Sequence, residues 1–311
     1  MRDAIQIDPG GRGLAKDPND NLFTACPDDF EAACRSIAAI EYPRVTIVTG
    51  FCVVHADPPC GETDGPLGAL FLARALEPLG IFTRAFTDPH SEAALECGLA
   101  ACGLTGCRMV CRIESNPGQR TTTGPVNEVD LETFLPSHLI ALERVGPNHE
   151  SGRCLNMRGV DVTSYTSPAD LLFQAAVRFQ TSDRPTGRLT TIGIGDGGNE
   201  IGMGKIPRET IARNIPNGDK IACRVPTDYL VVAGVSNWGA YALAAGVLYL
   251  RGTPHDPALF DPARERELLE IMVKHGPLVD GATGKQEATV DGLPFDEYTK
   301  PLVRLGEILR G

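Results

Sequence analysis

Apolar residues along this chain fall into two recurring patterns. In one, they return every three or four positions: Phe30, Ala33, Cys34, Ile37 and Ile40 share a face, which predicts a helix from Asp28 to Ile40 with Asp28 and Asp29 at its positive end. In the other, short β-branched runs show no alternation. Val45 to Thr49 is the first of these, and such a run predicts a strand covered on both faces in a parallel sheet.

The two patterns alternate to the end of the chain. Strands are expected at Ile81 to Phe86, Arg108 to Ile113, His138 to Leu142, Leu189 to Ile194 and Tyr229 to Ala233. Helices are expected from Pro66 to Leu79, Ser91 to Cys102 with Ser91 as cap, and Ser167-Pro168 to Phe179 with Ser167 as cap. Further helices are expected over Pro207 to Asn214, from a Gly234-Val235-Ser236-Asn237 cap onward, from Asp261 to His275, and from Glu297 to Leu309. This order predicts an α/β fold: an open, mainly parallel, doubly wound, Rossmann-like sheet with helices on both faces. No repeat or linker interrupts it, so residues 1–311 are expected to form a single α/β domain. The first 21 residues, rich in Asp, Gly and Pro, are expected to be loosely ordered.

Composition narrows the partners. A net charge of -11 argues against nucleic acid or an anionic membrane as the main partner, and the most apolar helix, Gly239 to Leu250, is too short for a membrane span. Ten cysteines in a chain of this length, with no apolar signal segment at its start, are expected to be reduced thiols in a cytoplasmic protein. The spacing of Cys97, Cys102, Cys107 and Cys111 does not match paired zinc ligands, so these are expected to be small buried hydrophobes.

In open α/β sheets ligands bind beyond the carboxyl ends of the strands. Polar clusters follow the proposed strands at those ends: Gly61 to Gly65, Glu114 to Gly118, Glu143-Arg144 with Asn156 to Asp161, Asp196 to Glu200, and Ser236-Asn237. The glycine-rich stretch TTIGIGDGGNEIGMGK at 190–205 is the centre of this arrangement, with Gly195, Gly197 and Gly198 letting the backbone turn close to a ligand. It is not a Walker loop, because Asn199 replaces the first glycine and no Ser or Thr follows Lys205.

Glu62, Asp64, Asp196 and Glu200 are the catalytic candidates, as proton donors and acceptors whose mutual repulsion raises their pKa. Three of them, Glu62, Asp196 and Glu200, are also candidate ligands for a divalent cation, Mg²⁺ or Mn²⁺. Arg158, Arg144 and Lys205 are candidates for holding a substrate carboxylate, with Asn156, Asn199, Ser236 and Asn237 as further substrate-binding groups. His55 and His149 lie on these loops without an assigned role.

GETDGPLGA at 61–69, ERVG at 143–146, NMRGVD at 156–161, GIGDGGNEIGMGK at 193–205 and SNWGAYAL at 236–243 resemble the C-terminal domain of D-glutamate cyclase, over most of Val45 to Leu250. The resemblance implies an α/β fold and conversion of D-glutamate to 5-oxo-D-proline with loss of water by a stand-alone member. Two-domain members carry an additional N-terminal hydro-lyase-like region, which this chain is expected to be too short to contain. The expected partner is therefore a small amino acid, with a homo-oligomer or a separate hydro-lyase-like partner as further possibilities. A module that binds an amino acid without turning it over is the alternative reading.

Overall fold

The computed structural model describes residues 1–104, 110–112, 131, 133–179 and 187–311. Six strands form one sheet: β1 (Arg44–Thr49), β2 (Phe82–Thr87), β3 (Val110–Arg112), β4 (His138–Leu142), β5 (Thr190–Gly195) and β6 (Tyr229–Val232). They lie in the order β3-β2-β1-β4-β5-β6, and every neighbouring pair is parallel. The order reverses between β1 and β4, so the crevice beyond Thr49 and Leu142 is the switch point where ligands bind in such sheets.

The unalternating strands have the expected cause. Val45 and Ile47 of β1, Ile140 and Leu142 of β4, and Ile192 and Ile194 of β5 point into one core with the helices Asp29–Ala38, Pro66–Leu76, Ser236–Arg251 and Pro262–His275. Their neighbours Val48, Leu139 and Ala141 point into a second core with the helices Asp170–Ala176 and Arg208–Asn214. Both faces are covered, so both must be apolar.

Several boundaries differ from expectation. The helix expected to start at Ser91 begins at Pro89 after Asp88, because proline fits the first turn and Ser91 only donates its N–H to the Asp88 carbonyl. The helix expected from Ser167 starts at Asp170, and Ser167 is no cap: its N–H donates to Asp88 Oδ1 and its carbonyl accepts from Arg144 Nη2. The loop after β1 holds a short hairpin, Cys52–Val53 against Cys60–Gly61. The last expected helix splits into Phe295–Tyr298 and Lys300–Arg310. Asp28 to Ile40, His138 to Leu142, Pro207 to Asn214 and Asp261 to His275 agree to within about two residues.

The expectation of a loose start is corrected. Ile5 is fully buried in the first core and Leu14 in the second, while the Asp8 carboxylate accepts the N–H groups of Arg12, Gly13 and Leu14 at 2.8–3.0 Å. Asp and Gly here build a tied loop instead of a solvated tail. Cys97 and Cys102 are half-buried free thiols, Cys107 and the Glu114 to Gly118 cluster lie outside the described residues, and no helix among those described is long and apolar enough to cross a membrane.

Candidate active site

At the carboxyl ends of β1, β4 and β5 a cleft of about 280 Å³ opens between Arg12, His55, Glu62, Glu143, Asn156, Arg158, Asp196, Asn199 and Asp291. A larger cavity of about 580 Å³ lies between Arg74, Leu79, His255 and Glu267. Its acidic residues are exposed and it follows no strand end, so the smaller cleft is the candidate site.

The glycine loop after β5 is folded around Glu200. Glu200 Oε1 accepts the N–H groups of Asp196 at 2.8 Å and Gly197 at 2.6 Å, and a Cβ on Gly195 would come within 2.9 Å of Glu200 Cδ. Gly198 takes φ +94°, a conformation open to glycine. Gly197 N–H is therefore spent on the Glu200 carboxylate, and Gly195 leaves room for it. The loop after β4 pairs with the same turn: Ile201 N–H donates to the Arg144 carbonyl at 2.8 Å and Gly146 N–H to the Asn199 carbonyl at 2.9 Å. That pairing physically joins ERVG to the glycine loop.

Between the two loops sits Glu143, at φ 43° in the left-handed region, a strain that bulky residues adopt where the surroundings enforce it. Its Oε2 accepts the Ser236 hydroxyl at 2.6 Å. Asp64 receives the start of the helix Ser236–Arg251: Asn237 N–H donates to Oδ1 at 2.8 Å and Ser236 N–H to Oδ2 at 2.9 Å. The cap of that helix thus comes from a distant loop, not from its own first residues.

Burial drives the electrostatics. It pushes the carboxyls of Glu62, Asp64 and Glu143 well above the ordinary carboxylate range, with neighbouring carboxylates adding to the shift. Asp196 and Asp291 are pushed up to about 6 by burial, held back by the Arg12 guanidinium. Arg12 bridges them, with Nη1 2.6 Å from Asp196 Oδ1 and Nη2 2.5 Å from Asp291 Oδ2. Two buried oxygens, Glu62 Oε1 and Glu200 Oε2, have no hydrogen-bond partner.

The structure brings together Glu62, Asp64, Asp196, Glu200, Asn156, Asn199 and Arg158, as expected for loops at one sheet edge. Asn199 donates to the Leu155 carbonyl at 2.9 Å, and Asn156 Oδ1 accepts the Arg158 and Val160 N–H groups. Arg158 stands exposed at the rim, bonded to the Ala282 carbonyl at 3.2 Å. Burial and the nearby Arg158 push the pKa of His55, which also lines the cleft, downward.

Three substrate-binding expectations are corrected. Arg144 is fully buried away from the cleft, bonded to both oxygens of Asp88 and to the Gly50 and Ser167 carbonyls. Lys205 is spent on Asp29 and the Asp228 carbonyl. Asn237 Oδ1 accepts from Gly65 and Gly68, and its Nδ2 donates to Thr63 and Tyr298, so it is a latch between helices. The expected cation ligand Glu62 belongs to neither cluster of closely approaching carboxylates among the described residues, which are Asp64, Asp196 and Asp291, and Glu143, Asp196 and Glu200. The sequence reading missed Arg12, Glu143 and Asp291. Glu143 follows a strand end and was within its reach; Asp291 precedes a glycine in a turn, and Arg12 sits in the run Gly10-Gly11-Arg12-Gly13.

A Rossmann-like sheet with an acidic cleft at its switch point defines an α/β domain with a candidate small-molecule site. The chain belongs to the D-glutamate cyclase-like, C-terminal family, whose model matches residues 1–306. Human mitochondrial D-glutamate cyclase is 32% identical over 323 residues, which cover 95% of this chain and 49% of the human protein. The chain therefore spans about half the length of that curated relative.

Proposed function

We propose that this domain catalyses the dehydrating cyclisation of D-glutamate to 5-oxo-D-proline, a lyase reaction. The observation that supports the reading is the pairing of a buried acid, Glu62, which burial pushes well above the ordinary carboxylate range, with Asp291, which is pushed up to about 6. Glu62 and Asp291 meet over Gly281, where a Cβ would come within 2.3 Å of Glu62 Oε2 and 3.8 Å of Asp291 Oδ1. Only glycine leaves room for the Glu62 carboxyl group there.

Ring closure needs the ammonium to lose two protons and the γ-carboxyl group to lose one oxygen, which together are one water. Asp291 takes the first ammonium proton, and the freed amine attacks the γ-carbon. Glu62 protonates a γ-oxygen and recovers a proton from the ring nitrogen. Asp291 then returns its proton as the hydroxyl departs, so both carboxyl groups end as they began. Arg12 stabilises the tetrahedral oxyanion, a contribution of about 3 kcal/mol for a well-placed donor. Arg158 at the rim holds the α-carboxylate so that the chain folds back on itself.

Purified protein incubated with each enantiomer of glutamate and analysed by chiral chromatography tests this. The expected result is 5-oxoproline from D-glutamate far faster than from L-glutamate, with Glu62→Gln lowering kcat and Arg158→Ala raising KM. Unchanged D-glutamate, or equal rates for both enantiomers, defeats it. A second reading is favoured by the half-length match to the human protein: the domain binds an amino acid and leaves turnover to a hydro-lyase-like partner. D-Glutamate would then raise the melting temperature saturably without product. The cytoplasmic setting read from the sequence enters as part of the proposal; the human relative is mitochondrial by its name.

A further inference from the structure

The two carboxylate clusters share Asp196 but differ in what neutralises them. In the cluster of Asp64, Asp196 and Asp291, the Arg12 guanidinium already lies between two of the three acids. In the cluster of Glu143, Asp196 and Glu200, one oxygen from each residue lies within 4.8 Å of the others, the three residues are 7%, 3% and 1% exposed, and no guanidinium or ammonium enters between Glu143 and Glu200 among the described residues. Buried like charges at this spacing need a shared cation or a shared proton.

The side chains are also held in place as ligands must be. Glu200 is fixed through Oε1 by two backbone N–H groups, which leaves Oε2 buried and without a hydrogen-bond partner. Glu143 is fixed through Oε2 by the Ser236 hydroxyl and by its left-handed backbone. An orphaned, fully buried carboxylate oxygen is costly unless something occupies the space it faces.

We propose that Glu143, Asp196 and Glu200 form a binding site for one divalent cation of the magnesium or manganese kind. Three oxygen donors and no nitrogen or sulfur select a hard cation. Three protein ligands leave coordination positions for water or for an oxygen of a small molecule in the cleft. The site stands on its own geometry, independent of which reaction the cleft performs.

The test is titration of chelator-stripped protein with Mn²⁺, reading free Mn²⁺ by electron paramagnetic resonance. One saturable site per chain is expected, weakened about tenfold or more in Glu143→Gln and in Glu200→Gln and unchanged in Glu267→Gln. Glu200→Gln keeps a carbonyl oxygen for both backbone N–H groups, so it should retain the fold. Its metal-free melting temperature checks this, and the rise that Mg²⁺ produces in the wild type should be absent from it. Failure of the wild type to bind Mn²⁺ saturably, or wild-type affinity in both Gln variants, overturns the site.

Discussion

Glu265 and Glu200 are both shut away from solvent, yet they are held in opposite ways. Glu265 accepts the Tyr241 hydroxyl at 2.6 Å and pairs with Arg74 at 3.0 Å, and Tyr241 continues to Tyr298 and on to Asn237. Nearby in kind is Asp88, whose two oxygens take Arg144 and the Ser167 N–H. At the cleft, by contrast, the carboxyl groups of Glu62, Asp64, Glu143, Asp196, Glu200 and Asp291 gather with Arg12 bonded to only two of them, Asp196 and Asp291, and oxygens of Glu62 and Glu200 face no partner. Satisfied buried charge fixes helices to one another. Unsatisfied buried charge costs stability and is retained where a ligand will complete it.

The comparison breaks first at Arg144. Arg144→Ala strands Asp88 in the interior, and urea unfolding should show a loss of about 3–5 kcal/mol. A loss below about 1 kcal/mol would remove the pair from the structural side of the contrast.

The structural side should also weaken toward acid. His138 is fully buried beside Ser137, and burial pushes its pKa down to about 4 from an ordinary 6.5. Its folded pKa lies below the unfolded one, so its contribution is present above pH 6.5 and is lost as pH falls toward 4, by about 3 kcal/mol. Unfolding curves of wild type and His138→Gln between those limits should converge as the pH drops.

Tyr241→Phe removes the hydroxyl that satisfies Glu265 and should cost about 1–3 kcal/mol. Activity in the folded protein should persist, because the network does not line the cleft. The smallest effect belongs to Arg158→Ala, whose exposed side chain should leave stability within about 0.5 kcal/mol while KM for the substrate rises. A large loss of stability there would make Arg158 a structural cation.

The fold was legible because apolar runs covered on both faces announce a parallel sheet, and Glu62, Asp196 and Glu200 were legible because they follow strand ends. Arg144 was misread by one residue: at the end of β4 the backbone turns Glu143 into the cleft and sends Arg144 the other way, to Asp88. Arg12 and Asp291 were not legible from the strand-and-loop rhythm. They reach the cleft from the two ends of the chain, through the loop tied by Asp8 and the turn between Val290 and Leu293, and only long-range packing places them there.

The central claim is that the cleft carboxylates are held for a ligand at the expense of the fold. Its most direct test is the unfolding free energy of Glu62→Gln against wild type in the presence of a chelator, followed from acid to near pH 8. Burial raises the folded pKa of Glu62 above its ordinary 4.5, so the wild type should lose stability as pH rises through that folded value, while the variant has no charge to bury. The account predicts variant and wild type equal at the acid end and the variant more stable near pH 8. A variant less stable than wild type near pH 8 would show that the Glu62 charge supports the fold, and would contradict the account.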